Sequence, residues 1–243
     1  MTPSSADAVA AVPAEEVAAP KGRNPGWTEY VGVAGFFILC LLLGARVYDA
    51  IRLGGGGLVL VTAVAGFVAA DFLSGLVHWT FDTWFSLGTP VVGKTFVYHF
   101  RLHHSDPDDI CRQGFICTNG HNCLASIPAL LGCLFLPVGT AWGTGLLTFL
   151  VATALGTFGT NQFHKWAHEK RVGPVVGFLQ RYHLVLNPRH HDIHHTRPYD
   201  QHYCITTGWL NPFLRAIHFF RVTEWAITRV TGVEARKDDL KAA

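Results

Sequence analysis

Histidine stands out in this chain because its imidazoles are numerous and closely spaced. The 243 residues include 14 histidines, more than packing or solubility requires. Four of them fall within six consecutive positions of the segment RHHDIHH, Arg189 to His195. If this segment is helical, with about 100° between residues, its four rings lie within an arc of roughly 140° and can point to one place. Such a pattern is typical of metal ligands.

Other histidines are spaced to join the same site. His164 and His168 are one helical turn apart and share a face, as do His78 and Asp82. Imidazole binds Fe, Zn, Cu and Ni, and one ion rarely takes more than six ligands. The number of convergent imidazoles therefore predicts two metal ions. The predicted ligands are His78, His103, His104, His164, His168, His183, His190, His191, His194 and His195.

The ligand type also predicts the chemistry of the site. Two ions held almost wholly by neutral nitrogens keep a high positive charge, which favours oxidation over simple hydrolysis. Carboxylates have a supporting role in this interpretation. Asp82, Asp106 and Asp192 are predicted to accept hydrogen bonds from the outer ring nitrogens, and Asp82 can also be a direct ligand.

Asp71 begins a stripe of polar or small residues that recur every three or four positions: Asp71, Ser74, Gly75, His78 and Asp82. An acid within an apolar segment is costly, so this stripe should face the interior of the protein and lead toward the metal site. Two roles for Asp71 remain open. It is either a hydrogen-bonded structural residue or an acceptor for the metal ligands.

The elements that must position these residues are apolar helices. The chain is 49% hydrophobic with a mean hydropathy of +0.26. Its apolar runs are near the length of about 20 residues that a bilayer core requires. They predict an all-α integral membrane protein with four transmembrane helices, and a turn at Leu136 to Thr140. The predicted spans are residues 29–47, 58–79, 123–138 and 142–163.

Four spans form two hairpins, and this topology fixes which segments share a side. The N-terminal segment, residues 80–122 and residues 164–243 lie together and contain 17 of the 19 Lys and Arg residues. By the positive-inside rule, we expect this side to be the cytoplasm. The N-terminus, the C-terminus and a His-rich cap with the metal site should therefore all be cytoplasmic.

The rest of the composition narrows the alternatives. Residues 1–25 are rich in Ala, Pro, Ser and Glu and predict a disordered leader, so residues 26–243 form one predicted domain. The six cysteines contain no C-x-x-C pair and indicate neither a zinc ribbon nor a disulfide framework. A net charge of +2 gives no reason to expect a nucleic-acid partner. No G-x-G-x-x-G motif follows a strand, so any electrons should come from a separate protein.

Several blocks together resemble the plasmanylethanolamine desaturase family. The resemblance extends from about residue 64 to residue 239. A plant plastid relative in that family desaturates an acyl chain of phosphatidylglycerol. The blocks are ADFLSGLVHW (Ala70 to Trp79), FRLHHSDP (Phe100 to Pro107), NQFHKWAH (Asn161 to His168), RHHDIHH and YCITTGWLN (Tyr203 to Asn211).

This resemblance implies an oxidoreductase with a His-ligated di-iron centre that uses O2 and an electron carrier, such as cytochrome b5 or a ferredoxin with its reductase. Its substrate would be a membrane phospholipid whose 1-O-alkyl chain becomes the vinyl ether of a plasmalogen. The family pattern matches the ten histidines named above, but not His99, His121, His202 or His218. The catalytic set it implies is His78, His103, His104, His164, His168, His191, His194 and His195.

Two alternatives are kept. The first is an acyl-lipid desaturase acting on phosphatidylglycerol or a similar phospholipid. The second is a membrane metal transporter or sensor, which would need polar ligands near the bilayer midplane. The predicted ligands instead lie at helix ends and beyond, so the sequence favours an enzyme.

Overall fold

The computed structural model describes residues 23–236, apart from the side chain of Thr95, and these residues contain helices and no strands. Most of the predicted leader, residues 1–22, and residues 237–243 lie outside the described residues. Two short π-helical segments, Ile51–Gly55 and Gly93–Val97, adjoin α-helices. The α-helices are α1 (Trp27–Ala50), α2 (Gly56–Thr83), α3 (Tyr98–Ser105), α4 (Asp109–Arg112), α5 (Phe115–Cys133), α6 (Ala141–His168), α7 (Pro174–Arg181), α8 (Pro188–His191), α9 (Asn211–Ala216) and α10 (Phe219–Thr231).

The four long helices form a bundle in which α1 packs against α5, α5 against α6, and α6 against α2. Small residues allow the backbones to approach closely, as is common between membrane helices. A Cβ atom added to Gly32 of α1 would lie 2.6 Å from the carbonyl oxygen of Gly120 in α5. One added to Gly66 of α2 would lie 2.3 Å from that of Phe149 in α6. The contacts therefore depend on glycine.

The two chain reversals of the bundle lie at the same end. Between α1 and α2 the chain turns at Gly54, whose φ of +90° is accessible mainly to glycine. The second reversal, between α5 and α6, lies at Leu136 to Thr140 and confirms the predicted turn. Arg46 of α1 donates hydrogen bonds to the carbonyl oxygens of Cys133, at 2.6 Å, and Leu136. Both turns therefore lie opposite the His-rich end.

Two stretches are long and apolar enough to cross a membrane: Trp27–Thr83, which contains α1 and α2, and Ala141–His168, which is α6. The helix in the region of the third predicted span, residues 123–138, is α5, which begins at Phe115 and ends at Cys133. Its first half looks like a polar loop in the sequence, but the polar groups bond to α6. Asn119 donates to the side chain of Gln162 at 3.1 Å, and Asn122 donates to the carbonyl oxygen of Thr157 at 2.9 Å.

Candidate metal centre

Five imidazoles from three parts of the chain converge at the end of the bundle where α2 and α6 finish. Their ring nitrogens lie within 4.8 Å of one another. Four Nε2 atoms form a closed ring in the order His103, His164, His191 and His195, with successive separations of 2.8, 2.9, 3.0 and 2.9 Å. The Nε2 atom of His168 lies 2.9 Å from that of His191. We call these five residues the five-histidine group.

A second group lies beside the first and contains a carboxylate. It consists of His78, Asp82, His104 and His194, whose ligand atoms also lie within 4.8 Å of one another. The Nε2 atoms of His104 and His194 are 3.0 Å apart. Oδ2 of Asp82 lies 3.3 Å from Nε2 of His78 and 3.6 Å from Nε2 of the other two histidines. We call this set the His-Asp group.

Neighbouring histidines are divided between the two groups. His103 joins the five-histidine group and His104 the His-Asp group, because consecutive helical residues point about 100° apart. The segment RHHDIHH is helical only through His191 and continues in turns. Its start is fixed by Asn187, whose side chain accepts from the amide of His190 at 3.3 Å, and by proline at the first helical position. In those turns His194 joins the His-Asp group and His195 joins the five-histidine group.

The spacing of the nitrogens fits bound cations. Two ligands at right angles around one ion, each about 2.1 Å from it, are separated by about 3 Å. A neutral imidazole has a single N–H group, yet Nε2 of His103 has three other ring nitrogens within 3.2 Å. Hydrogen bonds cannot satisfy every contact of this kind. In the His-Asp group, Nε2 of His78 is buried and has no hydrogen-bond partner.

The protonation of the cap histidines also suits metal binding. Burial, and then repulsion from neighbouring imidazoles, holds the pKa values of His103, His191 and His194 well below their usual range. The same causes lower the pKa of His104 to about 3, and burial lowers that of His195 to about 4. These rings are therefore neutral near pH 7, which is the form that binds a metal.

Backbone carbonyl groups orient two ligands of the His-Asp group. Nδ1 of His194 lies 3.0 Å from the carbonyl oxygen of Gln201, and Nδ1 of His78 lies 3.2 Å from that of Tyr203. When Nδ1 carries the proton and donates it, Nε2 is left with its lone pair toward the group. These two contacts cannot be predicted from residue types, since any residue supplies a carbonyl oxygen.

The segment that supplies these carbonyl oxygens forms hydrogen bonds with Asp71, the first residue of the predicted polar stripe. Oδ1 of Asp71 accepts from the amides of Thr207 and Gly208 at 2.8 and 2.9 Å, and Oδ2 accepts from the amide of Leu210 at 3.2 Å. The hydroxyl of Ser74 accepts from the amide of Ile205 at 3.0 Å. These bonds connect Asp71 to the backbone of this segment, as expected of the structural role.

Eight of the ten predicted histidine ligands and Asp82 belong to the two groups, whereas His183 and His190 do not. Nε2 of His190 accepts from the side chain of Asn211 at 3.2 Å. The carbonyl oxygen of His183 accepts from the indole of Trp209 at 2.6 Å, and this places the residue beside that indole.

The other two predicted carboxylate acceptors also lie outside the groups. Asp106 forms an ion pair with Arg112, and Asp192 is exposed, although its charge acts on His195. All six cysteines are free thiols in this structure.

Comparison with known proteins shows the family of the chain. Residues 67–238 match the family model described as the lipid desaturase domain. The plasmanylethanolamine desaturase of Myxococcus xanthus is 44% identical over 214 residues, which cover 88% of this chain and 76% of that protein. Plasmanylethanolamine desaturase 1 of Mus musculus is 45% identical over 194 residues, covering 76% and 71%.

A plant protein is more distantly similar. The chloroplastic fatty acid desaturase 4 of Arabidopsis thaliana is 33% identical over 175 residues, covering 71% of this chain and 52% of that protein. No solved structure gives a significant match to the chain. The family match spans both metal-ligand groups and most of the described chain, and so the chain belongs to the lipid desaturase family.

Proposed function

We propose that this chain is an O2-dependent desaturase that converts the 1-O-alkyl chain of an ether phospholipid, a plasmanylethanolamine, into the vinyl ether of a plasmalogen. The observation that carries the proposal is the pair of adjacent ligand groups at the end of a bundle of apolar helices. The names of the two relatives above 40% identity support the ether-lipid substrate.

Two iron ions fit the donor sets. The five-histidine group would hold one ion, and His78, Asp82, His104 and His194 would hold the other. When bound, the iron pair supplies the oxidising chemistry that an inert aliphatic C–H bond requires. The eight histidines of the two groups are thus the proposed catalytic residues.

The overall reaction balances with an external electron donor. Two C–H bonds next to the ether oxygen are lost, O2 accepts two electrons from them and two from the donor, and two protons complete two molecules of water. We infer that the donor is a separate carrier of the cytochrome b5 or ferredoxin class, served by its reductase. This chain's part is to hold the lipid, to keep the ligands in place and to exclude water from the ligand groups.

All four long helices are proposed to cross the membrane, with the metal centre, the N-terminus and the C-terminus on the cytoplasmic side. The bundle geometry supports this proposal, because the two reversals lie at the end opposite the ligands. The reversal end contains Arg46 and Arg52, whereas the other 14 Lys and Arg residues of the described chain, residues 23–236, belong to segments joined to the opposite end. Such an asymmetry is the usual one for a cytoplasmic cap.

The test is expression in a host supplied with 1-O-alkyl phospholipid, followed by mass spectrometry of acid-labile vinyl ether lipids. The wild type should form them and His104→Ala should not. His99→Ala is the matched control, because His99 is an exposed residue of the same helix outside both groups. A new double bond in an acyl chain, without vinyl ether, would instead favour the acyl-lipid alternative that the Arabidopsis relative suggests.

A transporter is a poorer fit to the structure. The ligands cluster where α2 and α6 finish and in the segments beyond, rather than halfway along the bundle. Metal movement across vesicles by a protein that changes no lipid would refute the desaturase proposal.

A further inference from the structure

We propose that residues 203–220 form a re-entrant segment that enters the cytoplasmic leaflet beside α2 and contacts the acyl chains of phospholipids. The sequence does not predict a membrane-embedded segment here, because the segment is too short to span a bilayer. In the structure it begins with an irregular stretch. The inference rests on α2 crossing the membrane, as proposed above, and adds a lipid-contacting surface to the protein.

Contacts with α2 set the depth of the segment. At 1.5 Å per residue, Asp71 lies about 10 Å along α2 from His78, toward the middle of the bilayer. The amides of Thr207, Gly208 and Leu210 all bond to Asp71, so the chain there is at the depth of Asp71. Trp209 reaches further, since its ring lies 6.0 Å from that of Phe67.

The far end of the segment returns to the same depth. The ring of Phe219, at the start of α10, lies 5.5 Å from that of Phe72 on α2. Helix α9 connects the anchored Leu210 to this contact, so both of its ends are held well below the metal ligands. From there α10 rises along α2, because Glu224 accepts a hydrogen bond from the indole of Trp79 at 2.7 Å.

Irregular backbone is tolerated at membrane depth only where other protein groups satisfy its hydrogen bonds. This segment meets that requirement. Besides the bonds to Asp71 and Ser74, the side chain of Asn211 accepts from the amide of Cys204 at 2.9 Å and donates to its carbonyl oxygen at 2.8 Å. The carbonyl oxygen of Thr206 accepts from the amide of Leu186 at 3.0 Å.

Three large apolar side chains are exposed on the segment, together with Arg215 and His218. Trp209, Phe213 and Ile217 are 43%, 59% and 48% exposed, and they flank or belong to α9. Arg215, on the same short helix, instead lines a cavity of about 360 Å³ together with Asp200 and Arg221. Long basic side chains of this kind reach the headgroup level while an apolar face contacts acyl chains. This division of the surface fits a lipid leaflet and not water.

The test is photocrosslinking from p-benzoyl-phenylalanine placed at Phe213 in the full-length protein, reconstituted in phosphatidylcholine vesicles. Ile38, which is 58% exposed on α1, is the positive control, and Lys170, whose side chain is 88% exposed in the cap, is the negative control. Mild ester hydrolysis after illumination leaves one fatty acyl chain on the protein if the link is to a chain. It leaves the glycerophosphocholine part if the link is to the headgroup.

We expect the Phe213 and Ile38 positions to retain a fatty acyl mass and the Lys170 position to retain no lipid. A Phe213 position that behaves like Lys170, or that links only to headgroups, while Ile38 gives acyl adducts would overturn the re-entrant segment alone. Loss of acyl adducts at both Phe213 and Ile38 would overturn it together with the membrane topology. Lipid conversion is not part of this readout, so the desaturase proposal is tested separately.

Discussion

The role of Asp71 gives a prediction whose size can be worked out from the structure. Its two carboxylate oxygens accept hydrogen bonds from three backbone amides of the segment that orients His78 and His194. A hydrogen bond to a charged group contributes about 1.5–3 kcal/mol, and a buried amide left without a partner costs about 1–3 kcal/mol. The segment can relax in part, so the three losses should not add fully.

Two substitutions at this position separate shape from hydrogen bonding. Asp71→Ala removes all three acceptor contacts and should lower the free energy of unfolding by about 3–5 kcal/mol. Asp71→Asn keeps Oδ1 for Thr207 and Gly208 but places an amide donor opposite the amide of Leu210, so a loss of about 1–3 kcal/mol is expected. Ser74→Ala, which removes one bond to Ile205, should cost about 1 kcal/mol.

The assay is equilibrium unfolding in mixed micelles, followed by tryptophan fluorescence, with metal content measured on the same samples. The three variants should rank as Asp71→Ala, then Asp71→Asn, then Ser74→Ala in loss of stability. Both Asp71 variants should also bind less metal, because His78 and His194 lose the carbonyl oxygens that fix their rings. An Asp71→Ala protein with wild-type stability and full metal content would refute the reasoning.

Three further predictions follow from the ligand groups and the packing around them. His104→Ala, in the His-Asp group, and His164→Ala, in the five-histidine group, should each lower bound iron from about two ions per chain to about one. X-ray absorption should show oxygen among the ligands of the remaining ion only in His164→Ala, because that variant keeps the group that contains Asp82. The same mixture of ligands in both variants would contradict the assignment. Gly75→Ala should lower stability by about 1–3 kcal/mol in thermal unfolding, because an added Cβ would lie 2.5 Å from Sγ of Cys204; unchanged unfolding would show that the close contact is not required. The metal-free protein should lose stability as the pH falls from about 6.5, the usual histidine pKa, because the unfolded chain then binds protons that the folded chain does not; the loss should continue below the pKa of His195, about 4, because that of His104 is about 3, and a circular-dichroism titration that is flat over this range would contradict it.

Much of the ligand set could be predicted from the sequence because local spacing determines which rings share a helix face. His164 and His168 join one group as helical neighbours, and His78 and Asp82 join the other in the same way. The apolar runs likewise predicted α1, α2 and α6, and the Pro137 turn, since hydrophobic length and turn residues act locally.

Other features could not be predicted, because they depend on contacts between distant segments. His183 and His190 belong to the same polar region of the sequence as several histidines of the two groups, and only the path of the chain after α7 separates them. The polar start of α5 resembles a loop until Asn119 and Asn122 meet partners on α6.

The sequence by itself thus determined that closely spaced imidazoles lie at one end of a bundle of apolar helices, because side-chain periodicity and hydrophobicity are properties of neighbouring residues. The tertiary structure alone decided how these imidazoles divide into two groups, and that Asp71 holds a non-helical segment beside α2. The physical reason is that ring direction and amide pairing depend on atoms more than a hundred residues apart, such as Asp71 and Thr207.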